Sequence, residues 1–179
     1  MDTLRVSSQI RGFLIDETKI KHLADRILKS LGLNGFELSV RLVDTRVMRR
    51  LNKKHRGLDL STDVLSFAQM TWVKPVTAKG KATKHRRRLI PEALGDIVIS
   101  VPDAARNAKN LGQELSRELC FLLVHGILHL AGHDHERPLD ERKMLREQRK
   151  LMGLLEPKAM KPLWTGTARV RRAKVVEAH

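Results

Sequence analysis

Apolar residues recur along this chain with two periods, and the change from one to the other outlines its elements. Residues 16–32 place Ile20, Leu23, Ala24, Ile27, Leu28 and Leu31 at helical spacing, with Asp16 to cap the start and Gly32 to stop it. FELSVRLV (36–43) alternates Phe36, Leu38, Val40 and Leu42, which predicts a strand with one buried face. Residues 44–55 read as a short helix, again opened by an aspartate. TDVLSFA (62–68) and GDIVISV (95–101) are short runs rich in β-branched residues, hence strands. PDAARNAKNLG (102–112) predicts a helix with Pro102 in its first turn. QELSRELCFLLVHGILHLAG (113–132) predicts a longer one, apolar nearly all round and so central and buried. A last helix, 138–153, has Pro at its start and Gly at its end. The order α-β-α-β-β-α-α-α implies an α+β fold: one domain, a small mixed sheet and about five helices.

Composition narrows the class. A length of 179 residues suits one domain, and 41% hydrophobic with 31% charged residues suits a globular chain. Aromatics are 3% and tyrosine is absent, so Leu, Ile and Val must fill the core. The single cysteine, Cys120, allows no internal disulfide, which fits a reducing compartment. MDTLRVSSQIRGFLIDE lacks the apolar run of a signal peptide, and LCFLLVHGILHL is too short to cross a membrane, so a cytoplasmic protein is expected.

Two segments hold most of the formal net charge of +15. Residues 71–94 carry seven Lys/Arg against one Glu, and residues 157–179 carry six against one. Domain boundaries of 1–156, with 71–94 as a mobile surface loop, and a flexible basic tail over 157–179 follow. Such appendages attract polyanions, nucleic acid first among them, although solvated charge runs also serve solubility alone. Lys84, Arg86, Arg87 and Arg88 are the RNA-binding candidates. Trp72 and Trp164, beside the basic stretches, either stack on bases or anchor their segments, and anchoring is favoured.

The chemistry concentrates in LVHGILHLAGHDH (123–135), which holds four of the eight histidines. His125 and His129 fall on one helical face a turn apart, and Gly132 lets the chain reverse to bring His133 or His135 to the same ion. Three imidazoles and an open position are the pattern of catalytic zinc. The alternative, histidines satisfied singly within a core, would leave several nitrogens short of partners. Zinc peptidases place a glutamate base directly after the first histidine; here that residue is Gly126, which argues against peptide hydrolysis.

HGILHLAGHDH resembles the His-Gly-x-Leu-His-Leu-x-Gly-x-Asp-His signature of the YbeY endoribonucleases, also called rRNA maturation factors. LNKKHRGLDLSTDVLSF (51–67) and LGDIVIS (94–100) are similar to further blocks of that family, in the same order. The resemblance spans about residues 36–155. It implies one zinc ion per chain on His125, His129 and His135, with His133 beside the ligands or at the surface, and Arg56 as the family's phosphate-gripping arginine. Gly57 would let the backbone approach a bound strand. Ser66, Asp96 and Asp134 are candidates for orienting an imidazole or acting as base. The resemblance further implies cleavage of single-stranded RNA, maturation of the small-subunit rRNA 3′ end, ribosome quality control, and ribosomal partners without a membrane. Two rivals stay open: a metal-binding ribosome-assembly factor with little catalysis, and a metal-dependent hydrolase of another substrate. Met144 is read as core, and Cys120 as pointing away from the ligands.

Overall fold

The computed structural model describes residues 3–72, 77, 92–134, 136–159 and 164–166. Eleven elements run in the order β1 (Leu4–Gln9), β2 (Leu14–Ile15), α1 (Glu17–Ser30), β3 (Glu37–Val43), α2 (Thr45–Arg56), β4 (Val64–Ala68), β5 (Ala93–Ser100), α3 (Val101–Asn110), α4 (Leu115–Leu130), α5 (Pro138–Ala159) and β6 (Trp164–Gly166). The α+β expectation holds. Four strands form one sheet in the order β1-β3-β5-β4. β1 and β5 lie parallel to β3, and β4 is antiparallel to β5.

Local chemistry sets most boundaries. The Asp16 carboxylate accepts from the Lys19 N–H at 3.0 Å, and that of Asp44 accepts from the Val47 N–H at 2.8 Å. Each satisfies a donor that the first helical turn leaves without a carbonyl, a contribution of about 1 kcal/mol. Gly57 takes φ 73° as the C-cap of α2. A Cβ there would meet nothing within 4 Å, so its glycine is required by this left-handed conformation.

The sheet is covered on both faces. Leu38, Val40, Leu42, Ile97 and Ile99 join α1, α4 and α5 in the main core. Val43, Leu65 and Val98 point the other way, onto Met48 of α2. α4 is the central helix, with twelve of its sixteen residues buried. It meets the sheet through glycine. An added Cβ at Gly126 would lie 3.0 Å from Ile97 Cδ1 and 3.2 Å from Ser66 Oγ.

Three features differ from the expectation. β1 escapes the pattern because only Leu4 of LRVSSQ is buried; a serine pair follows Val6, and its pairing with β3 supplies what the side chains do not. α5 does not stop at Gly153 but continues to Ala159. Leu151 and Leu155, one turn apart across that glycine, are both buried, and their burial outweighs the roughly 1 kcal/mol a mid-helix glycine costs. Residues 164–166, placed in the tail by sequence, pair antiparallel with β2. Most of the basic loop, residues 73–76 and 78–91, lies outside the described residues, as do 160–163 and 167–179. Among the described residues no helix is long and apolar enough to cross a membrane.

Gly95 sits at φ 147°, and a Cβ there would meet the Phe67 carbonyl oxygen at 2.3 Å. Gly95→Ala is expected to destabilise the protein by about 3 kcal/mol or more, through backbone strain and collision within the sheet. Urea unfolding of the variant, with an unchanged slope and a lower midpoint, checks this.

Candidate functional site

Helical spacing puts His125 and His129 on one face of α4, and the structure turns both rings to a common point. Their Nε2 atoms are 3.1 Å apart. Each ring is held from behind through Nδ1. That of His129 lies 3.1 Å from the backbone carbonyl of His133, and that of His125 lies 3.3 Å from Oε1 of Gln148 on α5.

These partners decide where the protons sit. A backbone carbonyl only accepts, so His129 carries its proton on Nδ1 and presents a lone pair at Nε2. With Gln148 Oε1 toward it, His125 does the same. Two lone pairs 3.1 Å apart repel unless a proton or a cation is shared between them. Two forward-facing nitrogens, each backed by an oxygen on its other nitrogen, are the arrangement found around metal-bound histidines. The donor set therefore fits a divalent metal of the zinc type.

Gln148 is a residue of this site that sequence reasoning missed. It is 2% exposed, and its Nε2 has no partner among the described residues. Nothing in its spacing marks it. It lies on a different helix, and only packing of α5 against α4 brings it to His125.

The turn after α4 is fixed by Trp72. Its indole N–H donates to the Leu130 carbonyl at 2.6 Å, satisfying one of the carbonyls that a helix end leaves open. Its side chain covers Gly132, where φ is 85° and a Cβ would come within 2.9 Å of Trp72 Cβ. The ring also packs beside Phe36, with centroids 5.9 Å apart. Trp72 thus anchors, as favoured from sequence, and holds the turn that delivers the His133 carbonyl to His129. The side chain of His133 is itself buried.

The remaining candidates are placed as follows. His135 lies outside the described residues, as do Lys84, Arg86, Arg87 and Arg88. Among the described residues no group of three metal-ligating side chains assembles. Arg56 is exposed in the last turn of α2 and makes no ion pair among the described residues. Ser66 is on the α4 face of the sheet, against Gly126. Asp96 is not. It neighbours Ile97, which faces α4, so strand alternation turns Asp96 to the other face, where it accepts from Gln69 Nε2 at 2.9 Å. The oxygens that back the His125 and His129 rings come from Gln148 and the His133 carbonyl instead. Asp134 is exposed and accepts from the Glu136 N–H at 3.2 Å, which stabilises the turn. Met144 is core at 2% exposure, and Cys120 is buried with its sulfur 3.7 Å from that of Met152.

Behind His125, between α4 and α5, is a cavity of about 470 Å³ whose lining includes Phe121, Glu118 and Gln148. Phe121 stacks on the His125 ring with centroids 6.2 Å apart. Burial pushes the Glu118 carboxyl above its ordinary value.

A family model described as Endoribonuclease YbeY matches residues 6–156. A relative from Myxococcus xanthus, an endoribonuclease YbeY, is 45% identical over 126 residues, which are 70% of this chain and 39% of that protein. This chain thus spans well under half the length of that relative. One of the same name from Shouchella clausii is 42% identical over 116 residues, 65% of this chain and 70% of its own. Another from Aquifex aeolicus is 40% identical over 143 residues, covering 80% of this chain and 85% of its own. The solution structure of a Thermotoga maritima protein shares the fold with TM-score 0.56 and 23% identity, covering 89% of this chain and 94% of that one.

The space at Gly126 yields a test of why a peptidase base is missing. Gly126→Ala is expected to cost about 1–3 kcal/mol by overpacking against Ile97. Gly126→Glu should unfold the site rather than create a protease; thermal melts of both variants, with a peptide-cleavage assay, check this.

Proposed function

This chain belongs to the endoribonuclease YbeY family, and from that premise we propose that it is a zinc-dependent endoribonuclease cutting single-stranded RNA. Its substrate is ribosomal, at the 3′ end of the small-subunit RNA, and its setting is cytoplasmic rRNA maturation and ribosome quality control beside ribosomal partners. The observation that carries the metal reading is the pair of Nε2 atoms 3.1 Å apart, each ring backed through Nδ1. His125, His129 and His135 would hold the ion. When bound, zinc supplies Lewis acidity toward a phosphodiester oxygen and a water.

The chain's own groups do the rest. The α4 imidazoles are neutral donors, so the ion keeps its full charge for an anionic substrate. The His133 carbonyl and Gln148 keep the two rings aimed. Arg56 binds a phosphate through two parallel N–H donors, a geometry that lysine cannot reproduce. Gly126 leaves no carboxylate beside His125, and the tight contact with Ile97 forbids one. That distinguishes the site from a peptidase and favours the nuclease over a hydrolase of peptides.

Comparing cleavage of a labelled single-stranded RNA by wild type and identically purified His125→Ala tests the reading. Loss of cleavage in the variant, with an unchanged circular dichroism spectrum, is expected; equal cleavage by both overturns it. Removing metal with a chelator should abolish cleavage and leave a folded protein, whereas a structural metal would take the fold with it. Gln148→Met, similar in volume but without an acceptor, is expected to weaken zinc binding about 10- to 100-fold. Gln148→Glu, which retains the acceptor, should not; chelator competition measures both.

A further inference from the structure

The sheet has a second feature of functional geometry, remote in sequence from the histidines. β1 and β3 are parallel neighbours, and the chain leaves their carboxyl ends in opposite directions. After β1 it runs to α1, on the face that α4 covers; after β3 it runs to α2, on the other face. Strands whose connections diverge in this way leave a crevice between their carboxyl ends, the place where open α/β sheets bind ligands.

That crevice is present and it is basic. A cleft of about 1060 Å³ is lined by residues 8–11, just beyond and within the end of β1, and by the start of α2. Arg11, Arg46, Arg49 and Arg50 all line it. The one carboxylate among its described lining residues, Asp44, is already committed to capping α2. The charge continues along the helix. α2 carries six Lys/Arg and no acid in its twelve residues, and all six are exposed. Arg49 and Lys53 share Asp59, at 2.8 and 3.0 Å. Arg46, Arg50, Lys54 and Arg56 form no ion pair among the described residues. A helix of this length is about 18 Å long, so the row leads from the cleft to Arg56 as a continuous track. The loop beyond Arg56 enters β4, whose Ser66 lies against Gly126 of α4.

We propose that the β1–β3 crevice and the exposed face of α2 form a binding track for the sugar–phosphate backbone of single-stranded RNA. It extends the substrate's grip beyond the scissile phosphate. This rests on the endoribonuclease reading. Unpaired arginines crowded at one end of a sheet repel one another, and a polyanion relieves that repulsion by releasing its counterions. A linear row of charges matches a linear polymer of phosphates better than an isolated anion. The row ends at the arginine assigned to the substrate phosphate, which favours RNA over a membrane. Base specificity is not expected of it, since no aromatic side chain among the described residues lines the cleft.

The test measures anisotropy of a labelled single-stranded RNA with the full chain carrying His125→Ala, in chelator, over a range of salt concentrations. Arg46→Gln/Arg50→Gln is expected to weaken binding several-fold at low salt for any sequence. The slope of log affinity against log salt should fall by roughly 0.7 for each phosphate that is no longer neutralised. Arg46→Lys/Arg50→Lys should keep most of the slope, because the charge remains. In the unsubstituted background, the Gln variant should raise KM on long RNA and leave kcat unchanged. Wild-type affinity and slope in the Gln variant overturn the proposal. Unchanged RNA binding together with weakened binding to phosphatidylglycerol vesicles overturns it in favour of a membrane surface. If wild type cuts no RNA but the Gln variant still shows the shallower slope, the track stands and the nuclease reading falls.

Discussion

α4 packs closely against the sheet through glycine, and the rest of the site depends on that approach. At Gly126 a Cβ would press on the Ile97 and Ser66 side chains at 3.0–3.2 Å, and at Gly95 one would meet the Phe67 carbonyl oxygen and Leu130. Apolar burial along α4 drives the contact; the two glycines set its depth. With the helix seated so deeply, His125 and His129 come to the rim of the core, partly desolvated and unable to swing freely. The missing carboxylate after His125 follows from the same packing. A glutamate there would have to occupy the volume of the β5 isoleucine.

Around this contact the structure arranges supports from separate parts of the chain. Trp72, which follows edge strand β4, closes the carbonyl end of α4 and covers Gly132. The turn it stabilises places the His133 carbonyl behind His129. α5 returns across α4 and places Gln148 behind His125. Neither support is itself a metal donor, yet each fixes which nitrogen of a ring faces forward. Partners of this kind orient metal-bound histidines in general, and the proposed zinc reading rests on them here.

The opposite face of the sheet has another electrostatic character. There α2 buries Met48 and turns six cations to solvent, with Asp59 bridging two of them. The polar linkages from Ser61 to Asp103 and from Asn107 to Asp63 tie the chain after α2 to α3. They hold Arg56 and the entry to β4 in a defined relation to the core. The histidine pair of α4 and the cationic row of α2 thus lie on opposite faces of the sheet.

Much of this was legible along the chain because it is local. Helical and strand periodicity located α1, β3, α2, β4, β5, α3 and α4, and the caps at Asp16 and Asp44 followed from residue type. The four-residue spacing of His125 and His129 sufficed to put them on one face. What is not local stayed hidden. β1 holds its place by backbone pairing with β3, since its own side chains are mostly polar. α5 runs through Gly153 because Leu151 and Leu155 find a core that sequence does not display. Asp96 is a candidate by residue type, but strand alternation sends it to the face opposite Ile97. Gln148 joins the site only through the packing of two helices, and Arg11 meets Arg46 and Arg50 only where parallel strands end side by side. Residue type and spacing determined which chemistry this chain carries; burial, pairing and the divergence of connections decided which of those groups meet, because these depend on residues far apart in sequence.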